Sequence, residues 1–185
     1  MRIIAGKFRG RKLKSPSSNE TRPTSDRLRE TLFNILAPRI EGSRFLDLCA
    51  GTGAVGIEAL SRGAAQVSFV DESRKICSLI EDNLNSIEIS SGDYRLIPAE
   101  VADCLRRHVK KAEELFDIIY FDPPYAIDYD GVLNFIGEHA SQILDTDGVV
   151  IVEHHKKKAL ADQFGAIKRY RELKQGDSIL SFYRT

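Results

Sequence analysis

The chain has 185 residues, with 27 Lys or Arg against 27 Asp or Glu and 42% hydrophobic residues. This balance excludes a disordered tail and a fibrous repeat, and the length predicts one sizeable core rather than two full domains. No stretch approaches the ~18 apolar residues of a membrane span, and the start, Met1 to Lys7, turns polar too soon for a secretory signal.

The neutral total hides an uneven distribution. Residues 1–44 hold 11 Lys or Arg against 4 acids, a net +7, so the remainder carries −7. A basic arm on an acidic body favours contact with a polyanion through the arm.

In chain order, Ile3-Ile4 and Lys7-Phe8 are expected to pair as a short hairpin, and residues 15–23 read as a loop. Thr24 or Ser25 caps a helix with Asp26 in its first turn, and Pro38 is expected to end it. From Arg44 onward short apolar strands alternate with helices. Strands are predicted at 45–49, 67–71, 94–97, 116–121 and 148–153. Helices are predicted at 54–61, 74–85, 101–110 and 131–143. This alternation predicts an α/β fold with a parallel sheet covered on both faces. Residues 167–173 and 178–183 read as a terminal antiparallel hairpin. The organisation is thus a basic N-terminal extension, 1–43, and an α/β domain, 44–185. Cys49, Cys77 and Cys104 form no disulfide framework or CxxC pattern, and read as small buried hydrophobes in a reducing cytoplasm. His108 and His139 lie apart without a partner at i+4, so no metal site is expected.

Two motifs carry chemistry. Gly51, Gly53 and Gly56 spell GxGxxG between a predicted strand and helix, and Asp71 follows 18 residues after Gly53. Such a loop cradles a nucleotide ligand, and the acid accepts from ribose hydroxyls. A pyridine dinucleotide and a cationic, ribose-bearing ligand both remain possible. Asp47 favours the second, because an acid beside a helix N-terminus repels a pyrophosphate. S-adenosylmethionine has the required sulfonium and ammonium groups. The second motif, Asp122-Pro123-Pro124-Tyr125, ends the fourth strand, so both motifs share the rim at the carboxyl ends of the strands. An exocyclic base amine is a poor nucleophile because its lone pair is delocalised. A carboxylate oxygen of Asp122 and the carbonyl of Pro123 can take its two hydrogens, and Tyr125 can stack on a base turned out of its helix.

The Asp-Pro-Pro-Tyr motif with Gly51-Thr52-Gly53 resembles the amino-methyltransferases that modify exocyclic base nitrogens. Met1 to Gly6, Arg9 to Leu13 and Arg22 to Asn34 narrow the likeness. They resemble the bacterial 16S ribosomal RNA guanine-N2 methyltransferases of the small-subunit methyltransferase D type. The resemblance covers essentially the whole chain. It implies a Rossmann-like fold with a seven-stranded, mainly parallel sheet, and S-adenosylmethionine as cofactor, with S-adenosylhomocysteine as product. It further implies methylation of one guanine N2 in small-subunit rRNA, within an assembly particle. Asp47, Ala50, Gly51, Thr52 and Gly53 would form the cofactor loop. Asp71 would hold the ribose, Glu72 would flank the adenine, and Glu100 and Val101 would contact its ring. Asp122, Pro123, Pro124 and Tyr125 would be the catalytic group. RNA contact falls to Arg9, Arg11 and Lys12 in the arm and to Arg22, Arg27, Arg29 and Asn34 around the first helix. The run His154 to Lys158 adds a candidate phosphate contact on the rim. A monomeric, cytoplasmic enzyme is expected. A DNA adenine or cytosine amino-methyltransferase and a non-catalytic RNA-binding module are the alternatives.

Overall fold

The central strands are short runs of Val, Ile, Leu and Phe buried on both faces, as a parallel sheet between helical layers requires. The computed structural model of the protein describes residues 1–15, 25–124 and 127–185, so Arg22 and Tyr125 lie outside the described residues. Strands β1 (Arg44–Leu48), β2 (Gln66–Asp71), β3 (Tyr94–Pro98), β4 (Phe116–Phe121) and β5 (Leu144–His155) pair in parallel. Strands β6 (Gln163–Phe164), β7 (Ile167–Gln175) and β8 (Ser178–Arg184) add an antiparallel half. The order is β3-β2-β1-β4-β5-β8-β7-β6, and the direction of winding reverses between β1 and β4. That switch point opens a crevice at the carboxyl ends of the two strands.

Among the described residues the sheet has eight strands, not seven. The extra one, β6, has two residues, too few for an alternating pattern to register. The predicted helix 131–143 is divided into α5 (Tyr129–Glu138) and α6 (Ala140–Ile143). The Gly137 carbonyl accepts from Ala166 N–H at 3.1 Å, which draws it out of the helical ladder.

Helices α1 (Asp26–Ile40), α2 (Ala54–Ser61) and α3 (Arg74–Ser86) pack on one face of the sheet. Helices α4 (Val101–Lys111), α5 and α6 pack on the other. Ser25 caps α1, accepting from Leu28 N–H, as the cap signal predicts. Pro38 lies inside α1 rather than at its end. In the last turn the proline removes one hydrogen bond, and buried Ile40 anchors the two residues beyond it.

The basic extension is folded onto the α/β body. Ile3 and Leu13 share the core of α1, α2 and α3, and each fully buried side chain contributes about 1.5–3 kcal/mol. The expected pairing of Ile3-Ile4 with Lys7-Phe8 does not form. Arg2 pairs with Lys12 instead, and Ile3 N–H donates to Arg11 O at 3.0 Å. Residues 4–8 are spent on α2. Ile4 and Ala5 donate to the carboxylate of Glu58 at 2.8 and 3.0 Å, and Phe8 N–H donates to the Ser61 hydroxyl at 3.0 Å. Farther along, buried Asn83 of α3 accepts from Lys14 N–H at 2.8 Å and donates to Thr52 O at 3.3 Å. One amide thus fastens the arm to the glycine loop.

Glu58 and Arg29 are both fully buried, with Arg29 Nε 3.9 Å from Glu58 Oε2. Arg29 also donates to Arg2 O and to Asp26, and Arg62 donates to Glu58 at 2.8 Å. Breaking one partner of such a pair strands the other charge in the core. We expect Glu58→Gln to lower the urea-unfolding free energy by about 3–5 kcal/mol, because the amide cannot neutralise Arg29 and presents a donor to the arm's N–H groups.

Candidate functional site

The glycine loop forms where β1 must turn sharply into α2. Gly51 and Gly53 have φ of +54° and +73°, a region that favours glycine, and Gly53 is the N-cap of α2. Gly56 serves packing: a Cβ there would lie 2.3 Å from the Phe69 ring. Across the switch point, Asp122 N–H donates to Leu48 O at 3.4 Å. This bond sets the Asp-Pro-Pro segment beside the loop.

Between them lies a cavity of about 910 Å³. Asp47, Ala50, Gly51 and Thr52 line it on the loop side, and Asp71, Glu72, Glu100 and Val101 line it beyond β2 and β3. Asp122, Pro123 and Pro124 line it at the end of β4. The structure therefore brings most of the expected cofactor and catalytic residues to one wall. Gly53 is the exception among the described ones: it is buried and shapes the loop from behind. Tyr125 lies outside the described residues.

Asp47 is 2% exposed and accepts from Gly56 N–H at 2.9 Å. Its carboxyl group occupies the helix N-terminus where a dinucleotide's pyrophosphate would sit, which disfavours that ligand. Burial, with the charge of Asp71 added, outweighs this hydrogen bond and pushes the Asp47 pKa up to about 8. Asp71 accepts from Gly51 N–H at 3.1 Å and from Ser73 N–H at 3.0 Å, so it braces the loop as well as facing the cavity. Cys49, read as a buried hydrophobe, is half-buried in the cavity wall. Burial raises its thiol pKa, and Asp71, Asp122, Asp47 and Glu72 raise it further. The acids Asp71, Asp122 and Glu72 thus act on one point beside the Asp47 carboxyl, a wall suited to a cationic ligand.

Two features escaped sequence reasoning. Tyr129, in the first turn of α5, is buried and donates its hydroxyl to Pro123 O at 3.0 Å. It therefore fixes the direction of the carbonyl proposed to hold the amine. Its place four residues after Tyr125 was the available signal. Glu153, at the end of β5, also faces the cavity.

Among the described residues, the expected RNA-contacting ones stand apart from the cavity. Arg9, Arg11, Lys12, Arg27 and Asn34 are exposed. Arg29 is not: its side chain is wholly buried against Asp26 and Glu58, so it cannot meet a phosphate, and its role is structural. Arg22 lies outside the described residues. In the rim run, His154 is buried against the Ser181 hydroxyl at 2.9 Å, and burial lowers its pKa. Lys156 and Lys158 are paired with Asp177 and Asp130, and Lys157 is exposed. No His/Cys/Asp/Glu group among the described residues is arranged to hold a metal, and no helix among them is long and apolar enough to cross a membrane.

A family model described as "Conserved hypothetical protein 95" matches residues 1–184. The Ribosomal RNA small subunit methyltransferase D of Haemophilus influenzae is 36% identical over 161 residues, 86% of this chain and 81% of that protein. The solved structure of the Escherichia coli protein yhhF superposes with a TM-score of 0.85 at 30% identity, covering 99% of this chain and 96% of that one. A SAM-dependent methyltransferase from Agrobacterium tumefaciens shares the fold, with a TM-score of 0.60 at 17% identity over 84% of this chain and 59% of that one.

The Asp47 carboxyl makes a pH prediction. Its pKa rises from 3.8 to about 8 on folding, so the folded chain holds a proton that the unfolded chain releases. Stability conferred by that proton is complete below about pH 4 and is lost as the pH rises toward 8. Asp47→Asn lacks this loss. In cofactor-free urea titrations its stability relative to the parent should grow by up to about 1.4 kcal/mol per pH unit between pH 5 and 7. A constant difference would mean that Asp47 is ionised throughout.

Proposed function

The chain belongs to the conserved hypothetical protein 95 family, and we propose that it transfers the methyl group of S-adenosylmethionine to the N2 amine of one guanine in 16S ribosomal RNA. The observation that carries this reading is the Asp122 N–H to Leu48 O bond, which sets an amine-binding motif and a nucleotide loop around one cavity. The relative from H. influenzae, named for small-subunit rRNA, supports the substrate class.

The cavity fits the cofactor in charge. Asp71 and Glu72 supply negative charge on the loop side, where the Asp47 carboxyl also lines the wall, and Glu100 and Val101 continue it beyond β3. When bound, S-adenosylmethionine supplies a methyl group on a sulfonium, already a good leaving group. The chain's own task is therefore positioning. Asp71 is assigned to the ribose and Val101 to the adenine. Asp122 and the Pro123 carbonyl accept the hydrogens of the amine, which turns its lone pair out of conjugation and stabilises the cation that forms. Tyr129 holds that carbonyl in place. Tyr125 is assigned to stacking on the extruded base.

Arg9, Arg11, Lys12, Arg27 and Asn34 form the proposed RNA-contacting set, to which the sequence adds Arg22. The five described members lie outside the cavity, so they would grip backbone around the target and leave the base to the cavity. A small-subunit assembly particle as substrate, a monomeric state and a cytoplasmic location complete the proposal. Methylation of naked 16S rRNA, of assembly particles and of DNA with labelled cofactor, followed by nucleotide mapping, tests it. Label found only in DNA, or on an rRNA base other than guanine, would overturn it.

Asp122→Ala should lower turnover about 10²–10³-fold with unchanged cofactor affinity, because the lost group faces the amine. Near-normal turnover would refute the amine-holding role. Replacing Arg9, Arg11 and Lys12 together by Gln should weaken RNA binding. The slope of log K against log salt should fall by roughly 0.7 for each lost phosphate contact. An unaltered slope would place the phosphate contacts elsewhere.

A further inference from the structure

Past Asp122 the cavity reaches a second carboxylate that the amine chemistry does not use. Glu153 is 8% exposed and lines the wall with Tyr120, Asp122 and Ser178. It is held through both oxygens. The Tyr120 hydroxyl donates to Oε2 at 2.5 Å and the Ser178 hydroxyl donates to Oε1 at 3.1 Å. These bonds fix the plane of the carboxylate, a group that accepts hydrogen bonds and cannot donate them.

Register brings the two acids together. β4 and β5 pair from Ile118 and Val149 to Phe121 and Val152, so Asp122 and Glu153 come next on adjacent strands. Neighbouring strands lie roughly 4.8 Å apart. The bond from Tyr120 puts Glu153 on the sheet face that Tyr120 occupies, and Asp122 lines the same cavity.

Asp122 and Pro123 can hold any exocyclic amine, so they do not explain a choice of base. The ring nitrogen beside the amine differs. Guanine presents N1–H, a donor. Adenine and cytosine present a lone pair there. A fixed carboxylate accepts from the first and repels the others, and a buried polar group left unmatched rejects the wrong substrate strongly.

We infer that Glu153 is the residue that reads guanine. It accepts the N1–H of the extruded base while Asp122 and the Pro123 carbonyl hold N2, with Tyr120 and Ser178 as positioning residues. This rests on the guanine-N2 reading above.

The test compares RNA carrying guanine with RNA carrying 2-aminopurine at the mapped position. 2-Aminopurine keeps the amine but has an acceptor at N1. The parent enzyme should prefer guanine at least ~100-fold. Glu153→Gln should lose guanine methylation about 100-fold and shrink or invert that preference, since an amide N–H can serve the acceptor at N1. Its cofactor affinity should be unchanged, which a general loss of structure would not permit. If the variant keeps the parent's preference, or the parent methylates both RNAs equally at N2, the inference is overturned. If the parent does not methylate guanine N2 at all, the underlying functional reading fails instead. Should Glu153→Gln not fold, Tyr120→Phe must erode the preference several-fold, and an unchanged preference there also overturns the inference.

Discussion

The Asp47 carboxylate accepts the Gly56 N–H in the first turn of α2, and the rest of the rim is arranged around that contact. Because a side-chain acid already satisfies the helix N-terminus, the loop above it is free of the need to bind an anion. Asp71 then ties Gly51 from the neighbouring strand, and Asn83 holds Thr52 from below. A loop that binds phosphate in other nucleotide folds becomes an acidic cradle. Burial, reinforced by the acids of the same wall, raises the pKa of the Cys49 thiol, so a cysteine in the cavity stays protonated and is a poor nucleophile toward an electrophilic ligand.

The N-terminal extension depends on a different contact of the same kind. α2 is buried along its whole length, yet it carries Glu58 at its centre. A buried carboxylate there is tolerable only because Ile4, Ala5 and Arg62 donate to it and Arg29 lies beside it. The extension is thereby held in one place on the body. Its outward side chains, Arg9, Arg11 and Lys12, are presented on a rigid support.

Much of this was legible in the sequence. Helix 54–61 and strand 116–121 coincide with α2 and β4, because apolar runs between glycines and caps leave little choice of period. The glycine loop and Asp-Pro-Pro were legible because local stereochemistry carries them. Other features depend on residues far apart in the chain. Burial of Arg29 needs Glu58, and the segment 4–8 departs from its expected hairpin because Glu58 and Ser61 take its N–H groups. A lone Glu in an otherwise apolar helix was the available signal, and a helical pattern alone does not say what such a residue meets. Glu153 reads as the last residue of an apolar strand. Its supporting hydroxyls come from β4 and β8, which only the strand order brings together.

That strand order has a consequence for how the protein comes into being. β8 is translated after all the other strands, yet it pairs with β5 and its Ser178 supports the Glu153 carboxylate. A nascent chain that has not yet released β8 has the glycine loop, Asp122 and much of its core. Its β5 edge is still open, and one wall of the cavity is unsupported. The glycine-loop side of the cavity can therefore assemble before the Glu153 side, and the order of synthesis leaves the cavity wall incomplete until the antiparallel hairpin has docked.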